Sequence, residues 1–295
     1  SPTGAGQVGI SRPIVAARRQ TPSLGRWVDH VVVQSPPTQS NGSQCSNASL
    51  IAHVTGHAYE TMAAFLRHLE LKDPHAEATA YPMSLPVVQG LGRLEFHPKV
   101  TFLVGENGTG TSTLIEAVAI KAGFNPEGGT KNFTGSTRPS ESQLHHHLTL
   151  ARGTTRETGG FFLRAETMFN VSTEAEKYQQ SGWALLHEKS HGEAFLWVMS
   201  KSLQDRGLFI LDEPEAALSP SRQLACLRII HDLTKVGGQF VIATHSPILM
   251  AYPDAWIYEL GEHGVRRTVF EETEHYRVTR DFMQNPERIL RVLFD

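Results

Sequence analysis

The stretch VTFLVGENGTGTSTLIEAVAIKAG, residues 100–123, constrains the fold more than any other. Five strand-favouring residues come first, then a glycine-rich turn, then a run with helical spacing. A buried strand feeding a helix through glycines belongs to α/β architectures built on a parallel sheet. The turn follows the phosphate-binding pattern G-x-x-x-x-G-K-[ST] at Gly105, Gly110 and Ser112. Glu106, Asn107, Gly108 and Thr109 fill the interval, and Thr113 follows the serine. Where the pattern asks for lysine the chain has Thr111. Without that lysine, an ordinary strand-to-helix turn explains the loop equally well.

Three further stretches change that balance. LFILDEPEAALSP (208–220) is an apolar run ending in Asp212 and Glu213. Carrying two carboxylates on the end of a buried strand is costly unless a metal or a water network uses them. In the functional reading Asp212 holds Mg²⁺ through water, the Ser112 hydroxyl ligates it directly, and Glu213 polarises an attacking water. QFVIATHSPILM (239–250) is a second buried strand, with His245 at its tip. Open α/β sheets bind ligands at that edge, and the position suits a hydrogen bond to a γ-phosphate. HEKSHGEAFL (187–196) places Ser190, His191, Gly192 and Glu193 before an apolar helix. A helix N-terminus with a serine before it is an anion site, although an ordinary capped helix is the plainer reading of this stretch by itself.

The order is phosphate loop, serine-glycine turn, acidic strand end, histidine strand end. In that order and in those residues the chain resembles the ABC-type ATPase heads. It is most similar to a bacterial predicted-ATPase group (AAA family, SMC-like) with SHGE in place of the transporter signature LSGGQ. The resemblance spans residues 62–295 and includes LEFHPKVTFLVGENG, AGFNPEGG, FFLRAE, THSPILMAYPDAWIY and EETEHYRVTRDF. It implies ATP and Mg²⁺ as ligands and a head-to-tail homodimer formed on ATP binding. Gly105–Thr113 would be the Walker A loop, Asp212 and Glu213 the Walker B acids, and Ser190–Glu193 the signature that completes a partner's site. Ala217–Ser219 would be the D-loop and His245 the switch histidine. Glu166 lies near the expected glutamine-loop position, where no Gln stands. The implied fold is α/β of the P-loop NTPase, ABC type: a mostly parallel central sheet flanked by helices, with an N-terminal antiparallel β portion.

Strand signals fall at Phe65–Leu71, Leu94–Phe96, Val100–Val104, Gly160–Ala165, Leu208–Leu211, Phe240–Thr244 and Ala255–Leu260. Helix signals fall at Ser112–Ala122, Glu193–Leu203, Pro220–Val236 and Pro286–Phe294. Ser219 and Asn285, each followed by proline, read as helix caps. Residues 1–61 contain no Lys, Phe or Met and are rich in Ser, Pro, Gln, Thr and Gly. They read as disordered or as an extension upstream of a native start at Met62. Residues 62–295 are expected to form the ATPase domain, with 135–190 as an insertion or helical subdomain.

The net charge of -3 argues against a general nucleic-acid surface, so DNA is a partner the charge does not support. No apolar run approaches the roughly 20 residues of a membrane span, and no signal peptide is evident, so a cytoplasmic protein is expected. The interval of 78 positions from Ser112 to Ser190 leaves no room for a long SMC-type coiled coil. His145, His146 and His147 read as solvated surface in preference to a metal site, because adjacent histidines point apart. Arg138, Arg152, Arg156 and Arg164 read as scattered surface charges, and 271–282, with His275 and Arg280, as a charged surface ladder.

Thr111 removes the ammonium that bridges the β- and γ-phosphates. A hydrogen bond to a charged group contributes about 1.5–3 kcal/mol, so binding is expected to fall roughly tenfold to a hundredfold. Turnover should fall further. Three function classes follow: a free-standing ABC-type ATPase acting on an unidentified protein partner, which the motifs favour; a transporter motor subunit; and a non-hydrolysing ATP sensor or DNA-associated module.

Overall fold

Residues 100–105 form the strand that VTFLVG leads one to expect, and 111–121 the helix that follows it. The computed structural model describes residues 64–73, 80–131, 142–164, 196, 199 and 206–295. Residues 1–61, the signature Ser190–Glu193 and Glu166 lie outside the described residues.

The described strands make two sheets. β1 (Leu66–Leu71), β2 (Leu94–Glu95) and β4 (Leu148–Arg152) form an antiparallel sheet in the order β2-β1-β4. The larger sheet has β3 (Val100–Gly105), β5 (Gly159–Arg164), β6 (Gly207–Asp212), β7 (Gln239–Ala243), β8 (Trp256–Gly261) and β9 (Gly264–Thr268). Its order is β5-β6-β7-β3-β8-β9, parallel throughout except for β9, which hairpins back on β8. The fold is therefore α/β, with a mostly parallel central sheet beside an antiparallel one.

Alternation along these strands divides the core. Phe102, Val104, Phe209, Leu211, Phe240 and Ile242 face α4 (Pro220–Lys235) and α5 (Pro247–Met250). Leu103, Leu208, Ile210, Val241 and Ala243 face α2 (Thr111–Lys121) and the antiparallel sheet. Burial on both faces is why these strands read as unbroken apolar runs. The side chain of Gln239 ties the sheets together. Its Oε1 accepts from the amides of Phe65 (2.9 Å) and Leu66 (2.8 Å), and its Nε2 donates to the carbonyls of Leu66 (2.9 Å) and His97 (3.0 Å).

Several expectations need correction. β4, β9 and α6 (Glu274–Gln284) were not expected. β9 is a short edge strand with two arginines, a composition that discourages edge pairing and hides the strand signal. The segment 142–164, expected to belong to an insertion, supplies strands to both sheets. Arg152 and Arg164 are not scattered surface charges: Arg152 holds Glu157 at 2.6 Å, and Arg164 holds Glu116 at 2.5 Å. Ser219 precedes α4 as expected, but its side chain makes no capping bond. Asn285 does cap α7 (Pro286–Phe294), accepting from the Arg288 amide at 3.1 Å.

Candidate functional site

Three neighbouring strands, β6, β7 and β3, end on the same edge of the sheet. Register pairs Asp212 with Ala243 and Ala243 with Leu103. The ladder continues past the strands, Glu213 N–H to Ala243 C=O at 3.0 Å and Thr244 N–H to Leu103 C=O at 3.2 Å. The acidic pair, the histidine and the glycine loop thus leave the sheet side by side. Strands sit about 4.8 Å apart, so β3 and β6 are separated by roughly 10 Å. Between them opens a crevice of about 270 Å³ lined by Glu106, Asn107, Gly108, Gly110, Thr111, Ser112, Thr113, Glu213 and His245, with Tyr81 and Leu85 on its far wall.

The loop presents backbone. Gly108 and Gly110 have φ of +85° and +99°, a region side chains resist. A Cβ on Gly110 would also lie 2.7 Å from Val87 Cγ1. The first bond of the helical ladder is Leu114 N–H to Gly110 C=O, 2.9 Å. The amides of Thr111, Ser112 and Thr113 precede it, at the positive end of the α2 dipole.

Thr111 gives its hydrogen to Thr109. The Thr109 hydroxyl donates to the Glu106 carbonyl at 2.8 Å. Its one proton is then used, so in the Thr109–Thr111 hydroxyl pair, 3.0 Å apart, Thr111 is the donor.

The other wall carries side chains. Asp212 is buried at the end of β6. Glu213 has φ 48° and ψ 53°, a left-handed conformation that costs a non-glycine residue about 1–3 kcal/mol. Its carboxylate lies 3.4 Å from His245 Nε2. His245 is fixed from behind by Glu215, whose Oε1 accepts from the His245 amide at 2.5 Å while Oε2 accepts from Thr244 Oγ1 at 2.8 Å. His245 Nδ1 lies 3.1 Å from His275 Nε2. Burial, and then the adjacent His245, push the His275 pKa below its usual value.

The structure thus brings Gly105–Thr113, Glu213 and His245 round one crevice, with Asp212 directly before Glu213. Sequence reasoning missed Glu215 and His275. Glu215 is carried back toward β7 by the 3₁₀ turn Pro214–Ala217, and its position two residues past Glu213 was the available signal. His275 corrects the surface-ladder reading of 271–282: it sits in the first turn of α6, half-buried against the site. His146 and His147 are exposed, and among the described residues no cluster of three metal-type side chains occurs.

A family model described as "AAA domain, putative AbiEii toxin, Type IV TA system" matches residues 194–251, a segment that holds β6, β7 and the residues from Asp212 to His245. No curated protein matches the chain. Among solved structures, the chain is similar to the SMC head domain from Thermotoga maritima at 15% identity and TM-score 0.39, covering 70% of this chain and 98% of that one. It is similar to cbiO1 from Clostridium perfringens, part of the ABC transporter complex cbiONQ, at 16% identity and TM-score 0.38, covering 79% and 100%. A "putative metal-chelate type ABC transporter" in an inward-facing conformation gives 16% identity and TM-score 0.38, covering 63% and 79%.

Proposed function

We propose that the chain is a P-loop ATPase of the ABC type, binding Mg²⁺ and ATP in the crevice at the ends of β3, β7 and β6. The observation that carries the reading is the convergence of the glycine loop, Glu213 and His245 on one crevice. The partial match to an AAA-domain model supports it.

The residues present fit these ligands. Positive φ at Gly108 and Gly110, with the amides that open α2, gives a backbone cradle suited to phosphate oxygens. A hydroxyl from Ser112 and a carboxylate from Asp212 are hard oxygen donors of the kind Mg²⁺ takes. When bound, the ion would neutralise charge on the phosphates. Ser112 and Asp212 would hold it, the loop amides would position the triphosphate, and Glu213 would orient and polarise the attacking water. His245, held by Glu215, would donate to the terminal phosphate. Ser190, Gly192 and Glu193 of a second copy would close the site in an ATP-dependent homodimer.

Thr111 brings no cation to the cradle, and its hydroxyl is paired with Thr109 at 3.0 Å. Weak binding and slow turnover follow. Nucleotide titration and phosphate release, run on this chain and on Thr111→Lys, test the reading. A gain in both for the lysine variant is expected. No gain in either would overturn the assignment of the loop as a phosphate site.

Thr111 also favours a second reading, an ATP-sensing dimer without turnover. Dimerisation by Mg·ATP with no phosphate released, even after days, would select it. No helix among the described residues is long and apolar enough to cross a membrane, so a transporter-motor role would require a separate membrane subunit.

A further inference from the structure

We propose that His275 is a positioning residue: its ring fixes the tautomer and orientation of His245, so that His245 presents an N–H from Nε2 to the crevice. The bearing of this on phosphate chemistry rests on the ATPase reading above; the pairing of the rings does not.

The two rings meet edge to edge, His245 Nδ1 3.1 Å from His275 Nε2, with centroids 5.3 Å apart and planes at 34°. Only one hydrogen fits between facing nitrogens, so there are two arrangements of the neutral pair. In the first, His275 Nε2–H donates to His245 Nδ1. His245 then carries its proton on Nε2, which faces Glu213 Oε1 at 3.4 Å. In the second, His245 Nδ1–H donates to His275 Nε2. His245 Nε2 then turns a lone pair toward the Glu213 carboxylate, and His275 Nδ1, buried with no hydrogen-bond partner among the described residues, must carry a hydrogen. His275 Nδ1 is unmet in both arrangements, as a buried donor in the second and a buried acceptor in the first. Only the second sets a lone pair against the Glu213 anion, and that contact selects the first.

The α6 helix is anchored well enough to hold this geometry. Thr273 is fully buried at its N-cap. The Thr273 hydroxyl donates to the Phe270 carbonyl at 2.7 Å and accepts from the Tyr276 amide at 3.3 Å. The rings of Phe270 and Tyr276 pack at a tilt of 51°, with centroids 4.5 Å apart. Glu215 fixes the His245 backbone while His275 fixes its ring, so the side chain is constrained at both ends. Among the carboxylates that act on His275, Glu106 has an oxygen 4.0 Å from Nε2, too far for a hydrogen bond. An Nε2–H donor at the crevice wall is what a ligand anion needs. The opposite tautomer would repel it.

The first test uses ligand-free protein. Long-range ¹H–¹⁵N correlation of the histidine rings, with His245 assigned by its loss in His245→Ala, reads the tautomer directly. His245 is expected as the Nε2–H form in the parent and in His275→Gln, whose amide N–H stands in for Nε2–H. In His275→Phe, which keeps bulk but no donor, that form should no longer dominate. An Nδ1–H tautomer in the parent, or an unchanged tautomer in a folded His275→Phe, would overturn the proposal.

The second test is made in a Thr111→Lys background. There His275→Phe should lower kcat about tenfold with little change in KM, and His275→Gln should restore it. In His245→Ala it should cost nothing further, because the effect acts through His245. Equal losses with and without His245 would overturn the positioning role. Failure of every variant to bind ATP would count against the ATPase reading, and the ring spectra would still decide the pairing.

Discussion

The strand β7 carries buried polar groups at both ends, and the two ends behave oppositely. At its start, the Gln239 amide meets four backbone groups, from Phe65, from Leu66 at the start of β1, and from His97. At its finish, Glu215 holds Thr244 and the His245 backbone, His275 meets the His245 ring, and His245 Nε2 faces an open crevice beside Glu213. One end is a closed account of donors and acceptors; the other keeps its front open. Burial with every valence filled holds the fold together, while fixed groups facing a cavity are available to a ligand. Substitution should therefore separate the two ends, one moving stability and the other activity.

The largest effect should come at the open end. Glu213→Gln, in a Thr111→Lys background, keeps shape and removes the base that orients water. A general base contributes typically about 10²–10⁴-fold, so phosphate release should fall by that order. Urea midpoints should stay level or rise, since the strained left-handed backbone at Glu213 suits an amide no worse. A large drop in stability would erase the contrast. Gln239→Leu should do the reverse. It leaves two buried amides without their acceptor, at about 1–3 kcal/mol for each unmet group, and equilibrium denaturation should show a loss above roughly 3 kcal/mol. A Gln239→Leu protein as stable as the parent would sink the claim that this side chain ties the sheets together.

Next in size is the loop that lies between these ends. Thr111→Lys should tighten Mg·ATP binding roughly tenfold to a hundredfold. The gain comes from the added cation. Thr111→Val removes the hydroxyl that pairs with Thr109 and adds no cation, so it should leave binding near the parent's in the same titration.

How much of this was legible beforehand depended on the range of the physics involved. VTFLVG and LFILD announced buried parallel strands because both faces of the sheet are covered, so the apolar run needs no partner to be recognised. The glycine loop, Asp212, Glu213 and His245 were legible because each follows its strand within a few residues. His275 was not, since thirty positions separate it from His245 and only the packing of α6 joins them. Gln239 was visible merely as the first polar letter of a strand; its four partners come from residues 65, 66 and 97. β9, with GVRRT, was hidden because an edge strand is kept charged and short. Local chemistry is written in the chain, whereas the orientation of a histidine ring by a distant helix is not.

The smallest effect sharpens the comparison through acid. His97, beside Gln239 at the closed end, accepts from the amides of Lys99 and Val100 on Nδ1, both at 3.2 Å. Burial, and then Lys99, push its pKa down to about 4. The folded protein therefore keeps the ring neutral, while the unfolded chain takes a proton below about pH 6.5. Stability from this group is complete above pH 6.5 and is lost as pH falls toward 4, at no more than about 1.4 kcal/mol per pH unit for one proton. His97→Asn keeps an acceptor near Nδ1 and cannot titrate. Its urea midpoint should therefore fall less between pH 6.5 and 5 than the parent's. Parallel curves for the two proteins would mean that the acid response arises elsewhere, and that the closed end of β7 is no more sensitive to protons than the rest of the molecule.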